Sequence, residues 1–100
     1  MALEKYAKKV PGKKKGEVLL YALSTCGWCM KTKNLLNDLG VDYRYIDVDL
    51  LDSKPKDEAM KEVTRLNPSS SFPTMVINND KCIVGFKEEE IRKALGSGNN

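Results

Sequence analysis

The sequence contains no histidine. That removes the side chain that titrates nearest neutral pH, the imidazole partner of serine and cysteine nucleophiles, and the commonest zinc ligand. It has no apolar run near the roughly 18 residues that a transmembrane helix needs. Its N-terminus lacks an apolar stretch of signal-peptide length, so the expected location is the cytoplasm and no membrane partner is expected. Cysteine is scarce and odd in number, three residues in all. A secreted disulfide scaffold is therefore not expected. Catalysis in this chain has to run on groups other than imidazole.

At 100 residues the chain has room for one domain, large enough to hold a core without metal or disulfide staples. Hydrophobic residues make up 41% and charged residues 31%, an ordinary globular mixture. The net charge of +3 is unevenly spread: residues 1–16 carry six lysines and one glutamate (+5), and residues 17–100 carry eleven basic and thirteen acidic side chains (−2). The basic character belongs to a leader, not to a folded face, which argues against nucleic-acid binding. Pro11, Gly12 and Gly16 punctuate this leader and its like charges repel. Residues 2–9 are expected to form at most a turn or two of helix, with the rest of 1–16 a flexible linker. Removal of residues 1–14 is then expected to leave the fold unchanged. The domain proper spans 17–95, and the Gly-Ser-Asn tail at 96–100 is expected to be disordered.

Val18 to Leu23 is an unbroken apolar run, the pattern of a central strand covered on both faces. A helix follows, with Cys29, Thr32, Leu36 and Leu39 on one side and Gly40 placed for a left-handed cap. Tyr43 to Val48 reads as a second strand. Pro55 opens a second helix, whose inner face is Ala59, Val63 and Leu66 and which Asn67-Pro68 ends. Thr74–Ile77 and Cys82–Val84 are strands joined by a hairpin turn at Asn78-Asn79-Asp80-Lys81. Glu88 to Leu95 is the last helix. The order is β-α-β-α-β-β-α: an α/β fold with a four-stranded mixed sheet flanked by helices, its first two strands parallel and its last two antiparallel.

Cys26-Gly27-Trp28-Cys29 falls where the central strand hands over to the first helix. Sites in α/β sheets form at such strand ends. A helix N-terminus carries unpaired N–H groups and about half a positive charge, which favour a thiolate. Cys26 comes first and is the expected nucleophile. Cys29, one turn later on the same face, is the expected resolving thiol, and the pair is close enough for an intramolecular disulfide. A zinc site needs about four ligands; only Cys82 remains, and it is expected to pack as a small hydrophobe. No metal site and no required cofactor are expected. Trp28 is placed at the rim of the site, where an aromatic suits a docking partner.

These features resemble the glutaredoxin branch of the thioredoxin superfamily: the element order, the Cys26–Cys29 motif after the first strand, and Phe72-Pro73-Thr74 before the third. The resemblance covers about residues 17–95. It implies a thiol–disulfide oxidoreductase that reduces protein disulfides or mixed disulfides, with electrons from glutathione or a thioredoxin-type reductase, acting as a monomer. It implies that Pro73 is cis and lies against the cysteine pair, and that the backbone of Phe72 pairs with bound substrate. Thr25, Gly27, Trp28, Phe72, Pro73, Gly85 and Phe86 then make up the substrate-binding set. It also leaves open an iron–sulfur carrier, a dimer holding a cluster through each Cys26 and bound glutathione, and a non-catalytic adaptor. The chain departs from the family where glutathione is held. Leu23, Ser24 and Thr25 are neutral where glutaredoxins usually place a cation before the motif, and Phe86-Lys87 follows Gly85 where they place an acidic residue. Glutathione is accordingly expected to be a weaker electron donor than a protein reductase.

Overall fold

The apolar run becomes the central strand β2 (Val18–Ala22) in the computed structural model, which describes residues 2–96. Val18, Leu20 and Ala22 enter one core and Tyr21 the other, so the run has no polar face to show. Around it lie β1 (Lys8–Val10), β3 (Tyr43–Asp47), β4 (Thr74–Ile77) and β5 (Lys81–Val84), in the spatial order β1-β3-β2-β4-β5. β2 and β3 are parallel, connected through helix α1 (Gly27–Leu39). The other three neighbouring pairs are antiparallel. The parallel pair and the closing hairpin thus stand as the sequence implies. In that hairpin Asn78 and Asn79 both take the left-handed conformation, at φ 57° each, which asparagine tolerates better than most residues.

Two cores sandwich the sheet. On one face Cys29, Leu35 and Leu36 of α1 meet Ile91 and Leu95 of the C-terminal segment over Leu20, Met75 and Ile83. That segment is α3 (Glu88–Ile91), which widens into a π turn over Arg92–Gly96 where a single regular helix was expected. On the other face Ala59 and Val63 of α2 (Ser53–Leu66) pack on Tyr21, Ile46 and Val76. Helix α1 stops at Gly40, whose φ of 69° lets its N–H reach back to Asn37 and Leu36.

The sheet has five strands, not four, because the basic leader is folded. Residues 8–10 pair with β3 in antiparallel register, Lys8 opposite Tyr45 and Val10 opposite Tyr43. Lys13 then donates its N–H to the Gly40 carbonyl and accepts from the Asp42 N–H, both at 2.8 Å. Gly12 has to be glycine for this approach, since a Cβ there would lie 2.6 Å from the Gly40 oxygen. Ahead of β1, a 3-10 turn at Ala2–Tyr6 inserts Leu3 into the second core, where it is 5% exposed. The charge repulsion that argued for flexibility is relieved locally: Lys9 lies 3.7 Å from Asp42, and Lys14 lies 2.8 Å from Glu17. At the other end, Gly96 belongs to the last turn and faces Leu39, while the tail at 97–100 lies outside the described residues.

The docked leader reverses the expectation for its removal. Burying a leucine side chain contributes about 1.5–3 kcal/mol. Deleting residues 1–14 is therefore expected to lower the melting temperature by about ten degrees or more. Calorimetry of the truncated chain checks this, and Leu3→Ala alone should produce a large share of the loss.

Candidate active site

β2 ends at Ala22, and four residues later Cys26 caps helix α1. Its backbone is extended, at φ −94° and ψ 118°, and its sulfur accepts the Cys29 N–H at 3.1 Å. A cysteine therefore does here what Ser, Thr or Asp does at most helix starts, answering one of the unpaired N–H groups. The Cys26 carbonyl receives the Met30 N–H at 3.0 Å and begins the helical ladder. All three cysteines are free thiols. Cys26 is half-buried and Cys29 is fully buried, so the two thiols sit one turn apart in different surroundings. Burial, followed by the contact with Cys26, pushes the Cys29 thiol up to about 12.

The loop into β4 carries the second half of the site. The Phe72–Pro73 peptide bond is cis, as the resemblance implied. Gly85, at φ 83°, donates its N–H to the Pro73 carbonyl at 2.8 Å and ties the turn after β5 to this loop. Phe86 then stacks on Trp28, with ring centroids 6.0 Å apart and planes 26° from parallel. Trp28, Phe72, Pro73, Gly85 and Phe86 together line an open groove of about 250 Å³. Trp28 is 59% exposed, a rim residue and not a core aromatic. Thr25 and Gly27 are exposed beside Cys26 but do not line the groove. A Cβ on Gly27 would meet nothing within 4 Å, so that position leaves open space next to the sulfur.

Several supporting contacts had no sequence signal. Asn67, just past α2, is 4% exposed and gathers the loop: its Nδ2 donates to Ser71 and to the Thr74 hydroxyl, and its Oδ1 accepts the Ser69 N–H. Asp49 clamps Ser24 ahead of the motif, accepting its N–H at 2.8 Å and its hydroxyl at 2.5 Å. Those two bonds hold the Asp49 carboxyl below the usual carboxylate range. Lys33 of α1 donates to Asp47 at 3.0 Å and lies over the Tyr45 ring at 4.2 Å. Lys87 turns back on its own loop and donates to the Val84 carbonyl at 3.0 Å. Cys82 sits in β5 opposite Val76, on the sheet face away from α1, and burial raises its thiol. Among the described residues no group of three or more cysteine, aspartate or glutamate side chains is arranged to hold a metal ion. None of the described helices is long and apolar enough to cross a membrane.

Burial both shields Cys29 and raises its thiol. Iodoacetamide at neutral pH is expected to label Cys26 at least about tenfold faster than Cys29, because only thiolate reacts. Cys29 labelling should become appreciable only as the pH climbs above 9, towards its raised value. Mass spectrometry of the modified peptides reads both sites. Cys82→Ala should leave this pattern intact and cost on the order of 1 kcal/mol of stability.

Comparison with known proteins agrees with this geometry. Residues 18–83 match the family model described as Glutaredoxin. The crystal structure of the glutaredoxin from Methanosarcina mazei Go1 superposes with a TM-score of 0.85 at 57% identity, covering 91% of this chain and 88% of that one. Methanosarcina acetivorans methanoredoxin superposes with a TM-score of 0.83 at 58% identity, covering 85% and 90%. A glutaredoxin-like 8.6 kDa protein encoded in the rubredoxin operon of Clostridium pasteurianum is 32% identical over 78 residues, 78% of this chain and 96% of that protein. A thiol pair at the start of a helix, a cis-proline loop beside it and sequence kinship across most of the chain lead to one assignment: the chain belongs to the glutaredoxin family, and its chemistry is thiol–disulfide exchange.

Proposed function

We propose that the chain is a dithiol reductase of protein disulfides and mixed disulfides that draws its electrons from a protein reductase in preference to glutathione. The observation that carries the dithiol reading is the capping contact: a half-exposed sulfur at the helix start, with a buried thiol one turn behind it. Cys26 thiolate attacks one sulfur of the substrate disulfide. The first substrate thiolate leaves, and a Cys26–substrate mixed disulfide forms. Cys29 then attacks the Cys26 sulfur, the second substrate thiol departs with a proton, and the Cys26–Cys29 disulfide carries away the two-electron oxidation. A donor dithiol reverses the last step. No metal or organic cofactor takes part.

The donor preference rests on charge. Glutathione presents two carboxylates and an ammonium, and each charge-assisted contact contributes about 1.5–3 kcal/mol. The segment ahead of Cys26 offers no cation, and Asp49 on Ser24 adds an anion there. Lys87 is engaged with the Val84 carbonyl. The Trp28–Phe86 ledge over the Phe72–Pro73 groove instead offers apolar area to a protein surface.

Two measurements test this reading. Cys26→Ser should abolish disulfide reduction, whereas Cys29→Ser should accumulate a mixed disulfide at Cys26, visible as a mass adduct. With one substrate, turnover supported by low-millimolar glutathione and its reductase should fall to about one-tenth or less of that supported by a thioredoxin-type reductase, since one missing ionic contact costs about tenfold. Equal rates would place the chain among the ordinary glutathione-dependent glutaredoxins.

A further inference from the structure

The resolving thiol has a difficulty that the capping contact does not solve. Cys29 has no exposed surface and sits in the core beneath α1. It nevertheless has to act as a thiolate once Cys26 is tied up in a mixed disulfide. A buried anion forms readily only where hydrogen-bond donors or a positive charge favour it.

One cation shares the helical face of Cys29. Lys33 lies four residues after Cys29 on α1, which places the two on the same helical face. Its ammonium does not swing free. It donates to the Asp47 carboxylate at 3.0 Å, and the two side chains are only 14% and 15% exposed. The Tyr45 ring lies beneath it at 4.2 Å. Asp47 is the last residue of β3, in register with Ala22 at the end of β2, so the pair sits at the level of the sheet from which the motif departs. Lys31, by contrast, is exposed and lies over the outer Trp28 ring at 5.2 Å. Burial and Cys26 disfavour the Cys29 anion; a backbone hydrogen bond with Leu23 favours it, and Lys33 is the cation that adds to that support.

We infer that Lys33, anchored by Asp47 and Tyr45, is a positioning residue for the resolving step: its fixed charge stabilises the Cys29 thiolate as that thiolate attacks the Cys26 sulfur. Lys33 gains and loses no proton. The Cys29 proton passes to the departing substrate thiolate, one S–S bond forms as another breaks, and the charge of Lys33 is unchanged throughout. The anchor matters because a mobile lysine would lose most of this effect to solvent. The inference rests on the dithiol reading and sharpens it.

Single-turnover kinetics on the reduced full chain separates the two steps, with a disulfide that carries a chromophoric thiol on each side. Lys33→Gln is expected to leave the first release, set by Cys26, within about twofold of wild type. The second release, set by Cys29, should slow by about five- to tenfold, a range in which lost thiolate is partly offset by the greater nucleophilicity of a more basic sulfur. The pH at which the second release reaches half its limiting rate should move upward. Lys33→Arg keeps the charge and should restore most of the second rate. A second release unchanged in Lys33→Gln, or both releases slowed equally, overturns the inference. If Cys29→Ser accumulates no mixed disulfide, the dithiol reading falls and the role of Lys33 falls with it. If Cys29→Ser traps the adduct while Lys33→Gln resolves at the wild-type rate, the role of Lys33 alone is refuted.

Discussion

The site depends on one hydrogen bond, from the Cys29 N–H to the Cys26 sulfur. It makes the sulfur of Cys26, the proposed nucleophile, part of the helix start, so displacing it costs α1 its N-terminal cap. The sulfur sits at the first turn of α1, just past the end of the central strand, where sites in α/β sheets form. Everything else in the fold holds that point still. β2 is fixed on both sides by β3 and β4, α1 is sealed below by its Gly40 cap, and Asp49 braces the intervening loop through Ser24.

The second half of the site is held by polar contacts inside the protein. Asn67 satisfies itself on Ser69, Ser71 and Thr74, and the Thr74 hydroxyl donates in turn to the Ser71 carbonyl at 2.7 Å. Among the described residues no buried side-chain nitrogen or oxygen lacks a partner. Such a network fixes a loop more sharply than apolar packing does, because each bond has a direction. Phe72 and Pro73 are thereby presented to the groove without a secondary-structure element of their own.

Much of this was legible in the residues, for identifiable reasons. The continuous run at Val18–Ala22 and the i, i+4 spacing of Ala59 and Val63 report burial directly, so the strands β2 to β5 and the helices could be read in order. The Cys26–Cys29 spacing carried the chemistry. β1 was not legible because its three residues are two lysines and a valine, and its place comes from pairing with β3 and from Leu3, which lies fifteen residues before Val18, the first core residue of β2. The contacts of Lys33 and Asn67 were hidden for a similar reason. Lys33 looks like any solvated helix lysine, and Asn67 looks like a helix stop. Only the tertiary arrangement brings Asp47 to one and Thr74 to the other.

The added strand also gives the sheet two unlike borders. On the β1 side the outermost backbone is flanked by Lys8 and Lys9, both exposed. A lysine-lined border repels a second copy of itself and discourages strands from neighbouring molecules from joining the sheet. On the β5 side the outer strand runs from Lys81 to Val84 and leads directly into Gly85 and Phe86 at the groove. A strand approaching the sheet would meet two adjacent lysines on the β1 border, and on the β5 border a single lysine, Lys81, before the apolar groove.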